Sequence, residues 1–132
     1  MNTKDQLVCA WSGLVFLVLF FAGWGLLSGF ILPPHSPTMT AEEVAAFYSA
    51  NPVGIRLGLV IALLSCAFYV PFGAVIAVHM ARIEGRYPVW TITAAMATAG
   101  TVIEFAIPTM FWQVAAFRPD RHPDVLLALN DL

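Results

Sequence analysis

Residues 90–117 read W-T-I-T-A-A-M-A-T-A-G-T-V-I-E-F-A-I-P-T-M-F-W-Q-V-A-A-F, an almost unbroken run of apolar and small side chains with one carboxyl group, Glu104, near its middle. At about 1.5 Å rise per residue, a helix of ~28 residues is longer than the ~30 Å hydrocarbon core of a bilayer. An ionised carboxyl at that depth costs about 2.5 kcal/mol or more, so such a group ordinarily faces protein or a wet cavity. The stretch therefore predicts a transmembrane helix whose single acid turns toward neighbouring helices.

Two further runs repeat the pattern. Residues 7–32 and 57–81 contain no Asp, Glu, Lys or Arg. The 132-residue chain is 60% hydrophobic and 11% charged, with mean hydropathy +0.82. Soluble domains run near 45–50% apolar and about 25% charged, so an integral membrane protein is expected. Spans are expected at about 7–32, 53–82 and 88–117. The net charge is -2 and no basic cluster occurs, which gives no reason to expect nucleic acid as a partner.

The connections carry their own signals. Pro33, Pro34 and Pro37 interrupt the first span, because proline lacks the amide that a helix needs. The following T-A-E-E-V-A-A-F-Y predicts a short amphipathic helix over 41–50. Thr40 and Glu43 have capping-box spacing, and Val44, Phe47 and Tyr48 share one face. This helix is expected at the membrane interface or across the end of the bundle. The short turn H-M-A-R-I-E-G-R-Y-P makes the second and third spans an antiparallel hairpin, with Pro71 and Pro108 as candidate bends. After residue 117, R-P-D-R-H-P-D is a polar loop. Asp124 is then placed to cap a helix over 124–132, too short to span but a possible start of another span. The fold class expected is all-α: a single-domain membrane helical bundle of three transmembrane helices plus a short amphipathic interfacial helix. Lys4, Arg82 and Arg86 fall on one side, and Arg56, Arg118 and Arg121 on the other. That even split constrains orientation little, and the acidic loop leans it toward a cytoplasmic N-terminus.

Small residues mark candidate packing faces, since helices in lipid associate by close approach rather than by hydrophobicity. Gly25 and Gly29 form one small-x-x-x-small pair. Gly54, Gly58, Ala62 and Cys66 form a longer stripe on the second span, and Gly100 sits among small neighbours on the third. On a helical wheel Glu104 shares its face with Ala97, Gly100, Thr101, Pro108 and Phe111. Counting along the spans puts Ser65 and Tyr69, and Trp24 with Ser28, at similar depth. Glu104, Tyr69, Ser65, Trp24 and Thr101 thus form the expected intramembrane polar site, with the Tyr69 hydroxyl and the Trp24 indole N–H as donors. No Lys or Arg lies at that depth. Three roles are open to Glu104: a hydrogen-bonded acid that pins helix register, a proton or cation relay, or contact with a partner subunit or bound cofactor.

Other chemistries lack their residues. His35 and His122 lie in loops and His79 near a helix end. No H-x-x-x-H or C-x-x-C spacing occurs, so no metal site or haem is expected. Cys9 and Cys66 read as small buried hydrophobes. No phosphate loop, nucleotide fingerprint or nucleophile setting is present, so neither catalytic residues nor a cofactor are expected.

The segments T-A-E-E-V-A-A-F-Y, R-L-G-L, A-R-I-E-G, A-A-F-R-P-D-R and A-L-N-D-L together resemble a group of uncharacterised bacterial multi-span inner-membrane proteins. The likeness covers most of the chain but no catalytic motif. It implies a bacterial inner (plasma) membrane address, a multi-pass topology, and further helices beyond A-L-N-D-L in a longer chain. No functional residue carries over. The function expected is a non-catalytic subunit or oligomeric component of a larger membrane assembly, with membrane lipid and other membrane subunits or further copies as partners. The alternatives are a proton-coupled carrier or channel module using Glu104, and a membrane component serving an enzyme that acts on hydrophobic substrates.

Overall fold

The computed structural model describes residues 2–31 and 34–132. The described residues form helices and connecting turns, without strands. The helices are α1 (Thr3–Phe20), which continues as a π-helical segment (Phe21–Leu27), α2 (Ala41–Ala50), α3 (Pro52–Glu84), α4 (Val89–Phe117) and α5 (Pro123–Asp131). Three of these units, Thr3–Leu27, Pro52–Glu84 and Val89–Phe117, are long and apolar enough to cross a membrane. Their outer faces expose Leu7, Val8, Trp11, Leu64, Met96 and Met110, a surface suited to a membrane-embedded protein.

The middle helix, α3, organises the bundle. The α1 unit lies along one side of it and α4 along the other. Helices α3 and α4 run unbroken through their internal prolines, Pro71 and Pro108. The first span departs most from its expected form. Gly23 and Gly25 weaken the α-helical ladder, and the Ser28 amide reaches the Gly23 carbonyl five residues back at 3.0 Å. The Ser28 hydroxyl lies 3.0 Å from that same carbonyl and 3.2 Å from the Ile55 carbonyl of α3. Gly29 then takes φ 75°, which ends the helix. The expected end of this span at residue 32 and the breaker Pro33 lie outside the described residues.

Local chemistry closes the remaining ends. The Thr40–Glu43 capping box forms, with the Thr40 amide donating to the Glu43 carboxylate at 2.8 Å and the Glu43 amide to the Thr40 hydroxyl at 3.3 Å. Asn51 Oδ1 accepts from the Gly54 amide at 3.0 Å and Pro52 opens α3, so two features start one helix. At the hairpin, Gly85 adopts φ 76° with ψ -135°, a conformation open mainly to glycine. Pro88 cannot cap α4 with its side chain. Instead the Glu84 carboxylate accepts from the amides of Trp90 (2.6 Å) and Thr91 (2.7 Å) and from the Thr91 hydroxyl (2.6 Å). The last helix begins at Pro123, one residue before the expected cap. Asp124 lies in its first turn, 3.3 Å from His122, and makes no cap.

Helices α2 and α5 close one end of the bundle. Val44, Tyr48, Ile55, Leu59, Ala116 and Leu126 form a buried cluster there. Asn130 ties it together: its side-chain oxygen accepts from the Tyr48 hydroxyl at 3.2 Å, and its carbonyl accepts from the Trp112 indole at 3.1 Å. Burial pushes the Tyr48 hydroxyl above the usual phenol range, which keeps it a donor. His35 packs edge-on against Phe47, ring centroids 4.2 Å apart, with Phe30 at 5.2 Å. Desolvation among these rings lowers the His35 pKa, opposed in part by a hydrogen bond with the Gly29 backbone. A folded-state value below the unfolded one means stability that is present above about pH 6.5 and lost as pH falls through the depressed value. Once rates are corrected for the intrinsic slowing of exchange in acid, amide protection in α2 is therefore expected to fall between about pH 7 and 5. His35→Phe should flatten that dependence, and an unchanged profile in the variant would assign it to another group.

Candidate functional site

The candidate site is a groove of about 190 Å³ between the π-helical segment and α4. Its walls are Phe20, Phe21 and Trp24 on one side and Glu104, Phe105, Pro108, Thr109 and Trp112 on the other. Spacing explains the walls. Phe20 and Trp24 are four residues apart, and Phe105, Thr109 and Trp112 follow i, i+4, i+7 on α4, so each set forms one stripe. Where α1 and α4 meet, they meet through these rings: Phe105 stands 4.8 Å from Phe20 and 5.7 Å from Phe16. Trp24, Phe30 and Trp112 stack nearly parallel, with interplanar angles of 10° to 29°, and join the groove to the α2–α5 cap.

Glu104 is exposed at the rim of this groove, which corrects its expected inward orientation. The cause is the shape of the bundle. Helix α4 turns Thr98 and Val102 toward α3 and Phe105 toward α1, leaving Ala97, Gly100 and Glu104 on the uncovered side. A helix with one full-length neighbour must expose much of its circumference. Among the described residues, no hydrogen bond or ion pair reaches the Glu104 carboxyl. Pro108 adds a second acceptor on the same turn, because it lacks the amide that would have bonded the Glu104 carbonyl.

Of the five residues expected to gather, the groove brings together Glu104 and Trp24. The Trp24 indole nitrogen is buried without a hydrogen-bond partner, one of two such atoms among the described residues, with Gln113 Oε1. Ser65 is buried but donates to the Ala62 carbonyl of its own helix at 2.6 Å. Tyr69 packs its ring on Phe16, 5.0 Å away, and does not line the groove. Thr101 is half-buried on α4 and likewise outside the lining. Phe20, Phe105 and Trp112 entered no expected site, although their helical spacing from Trp24 or Thr109 was a usable signal.

The small-residue faces sort in the same way. Gly58, Ala62 and Cys66 do form an interface, with the π-helical segment and α1 as the other side. A Cβ on Gly58 would strike the Gly23 carbonyl and the Ser28 hydroxyl; a Cβ on Gly23 would strike the Gly58 carbonyl. Gly23, absent from the expected packing set, is the true partner. Gly25 and Gly29 make no helix face, because Gly25 lies under the Ile31 side chain and Gly29 is outside the helix. The nearest atoms to a Cβ on Gly54 belong to its own cap residue Asn51. Gly100 meets nothing within 4 Å. Among the described residues, no group of three or more His, Cys, Asp or Glu is assembled that could hold a metal. Cys9 and Cys66 are both free thiols.

Comparisons with protein-family models, with characterised proteins and with solved structures find no match to this chain.

Proposed function

We propose that this chain is a non-catalytic component of a larger multi-pass assembly in a bacterial inner membrane, built either with further copies of itself or with other membrane subunits. The observation that carries the reading is the bare outer face of α4. Gly23, Gly58 and Gly73 each have a neighbour where a side chain would sit, while Gly100, also within a helix, has open space. A mid-helix glycine costs roughly 0.5–1 kcal/mol relative to alanine, and a carboxyl at bilayer depth costs more. Ala97, Gly100 and Glu104 lie side by side on that face, as a helix-packing surface requires. A neighbouring helix would cover the glycine. Surrounding lipid would fill the remaining apolar faces.

The test is the mass of particles extracted in native lipid without detergent. Wild-type particles are expected to hold more than one chain, and Gly100→Leu to leave single, folded chains. Wild-type particles holding one chain and no other protein would overturn the reading.

A further inference from the structure

We propose that the groove between the π-helical segment and α4 binds a lipophilic organic ammonium ion, with aromatic ring faces around the cationic head and the Glu104 carboxylate balancing its charge at the rim. The inference goes beyond the assembly reading, because all walls of the groove come from one chain.

Five of the eight lining residues are aromatic: Phe20, Phe21, Trp24, Phe105 and Trp112. Ring faces are negative and attract cations, most strongly where water is scarce. The one ionisable side chain in the lining is Glu104, and no Lys, Arg or His lines the groove. The acid therefore has no counter-charge of its own in the groove, and the carbonyl freed by Pro108 adds negative potential on the same turn. A neutral apolar ligand gains nothing by leaving acyl chains for an equally apolar groove, so charge and ring quadrupoles are what can discriminate here. A hard inorganic cation is disfavoured in turn. Calcium seeks about six to eight oxygen ligands, and the groove offers one carboxyl group with few other oxygens. Size narrows the class further. The volume of about 190 Å³ falls below the ~300–1,000 Å³ of sites for drug-sized molecules, so it suits an ammonium head whose tail leaves past Glu104 into lipid.

The test uses the full chain with Trp11→Phe and Trp90→Phe, which leaves Trp24 and Trp112, both in the groove, as the fluorophores. Placed as single chains in discs of uncharged lipid, it is titrated with benzyltrimethylammonium. Saturable quenching is expected, with at least a tenfold loss of affinity in Glu104→Gln. The uncharged carbon isostere neopentylbenzene should give no saturable change. Phe105→Leu, which keeps an apolar side chain but removes one ring face, should weaken binding several-fold. It serves as the arbiter should Glu104→Gln fail to fold. Absence of saturation, equal binding by the isostere, or unaltered affinity in either folded variant would overturn the proposal. Single-chain discs separate this result from the assembly question.

Discussion

Gly58→Leu is expected to remove about 3 kcal/mol from the stability of the bundle, at the upper end of what overpacking costs. The new side chain would collide with the Gly23 carbonyl, the Ser28 hydroxyl and the Ser28 amide. Two of those obstacles are backbone atoms, which cannot move aside by changing rotamer. Relief requires the π-helical segment to lift from α3, which also breaks the bond from the Ser28 hydroxyl to the Ile55 carbonyl at 3.2 Å. That movement would open the groove, since Phe21 and Trp24 ride on the same segment and Phe20 directly precedes it. Reversible unfolding in mixed micelles measures the loss. Gly100→Leu is the internal control: its side chain enters open space, so single-chain stability should stay within about 0.5 kcal/mol of wild type. Equal stability of the two variants would mean that the α1–α3 contact is looser than the structure has it.

The second large effect falls on Arg56. Its Nε donates to the Ala116 carbonyl at 2.8 Å and its Nη2 to the Phe117 carbonyl at 3.0 Å, while the guanidinium lies 5.4 Å from the centre of the Phe117 ring. These carbonyls are among the last of α4, where helical partners have run out and the helix dipole is negative. A cation from α3 thus closes the end of α4, beside the α5 cap. Arg56→Ala is expected to cost about 2–3 kcal/mol, the scale of hydrogen bonds from a charged donor. Arg56→Lys should recover only part, because an ammonium keeps the charge but not the planar fork. Unfolding midpoints give the totals, and faster amide exchange over residues 113–117 locates the damage. A loss under about 0.5 kcal/mol in Arg56→Ala would show that water serves those carbonyls equally well.

How much of this was readable in the chain depends on how far apart the interacting residues are. The Thr40–Glu43 box, the Asn51–Pro52 start of α3 and the Gly85 turn all act within a few residues, so their chemistry is written locally. The stripe of Gly58, Ala62 and Cys66 was readable for the same reason, since helical period alone puts the three on one side. Its partner was not. The π-helical segment alters the register after Phe20, so extending an α-helical spacing through Gly25 and Gly29 chose the wrong glycines and passed over Gly23. Arg56 counted only as one charge on one side of the membrane, because its acceptors lie sixty and sixty-one residues away. The groove was half legible: of the residues that depth counting grouped with Glu104, Trp24 also lines the groove and Tyr69 does not.

The amino-acid order by itself determined that there are three long apolar helices, where the second and third begin and end to within a turn, and that one acid sits deep in the third. These are properties of composition, length and near neighbours. Which way that acid faces was decided only when α3 took the central place and left α4 with a single full-length neighbour. The reason is physical: acyl chains and apolar side chains are equivalent company for a leucine or an alanine. Hydropathy therefore cannot tell a helix face that meets protein from one that meets lipid, and the fit of Gly23 to Gly58 and Gly73 to Thr98 makes that choice.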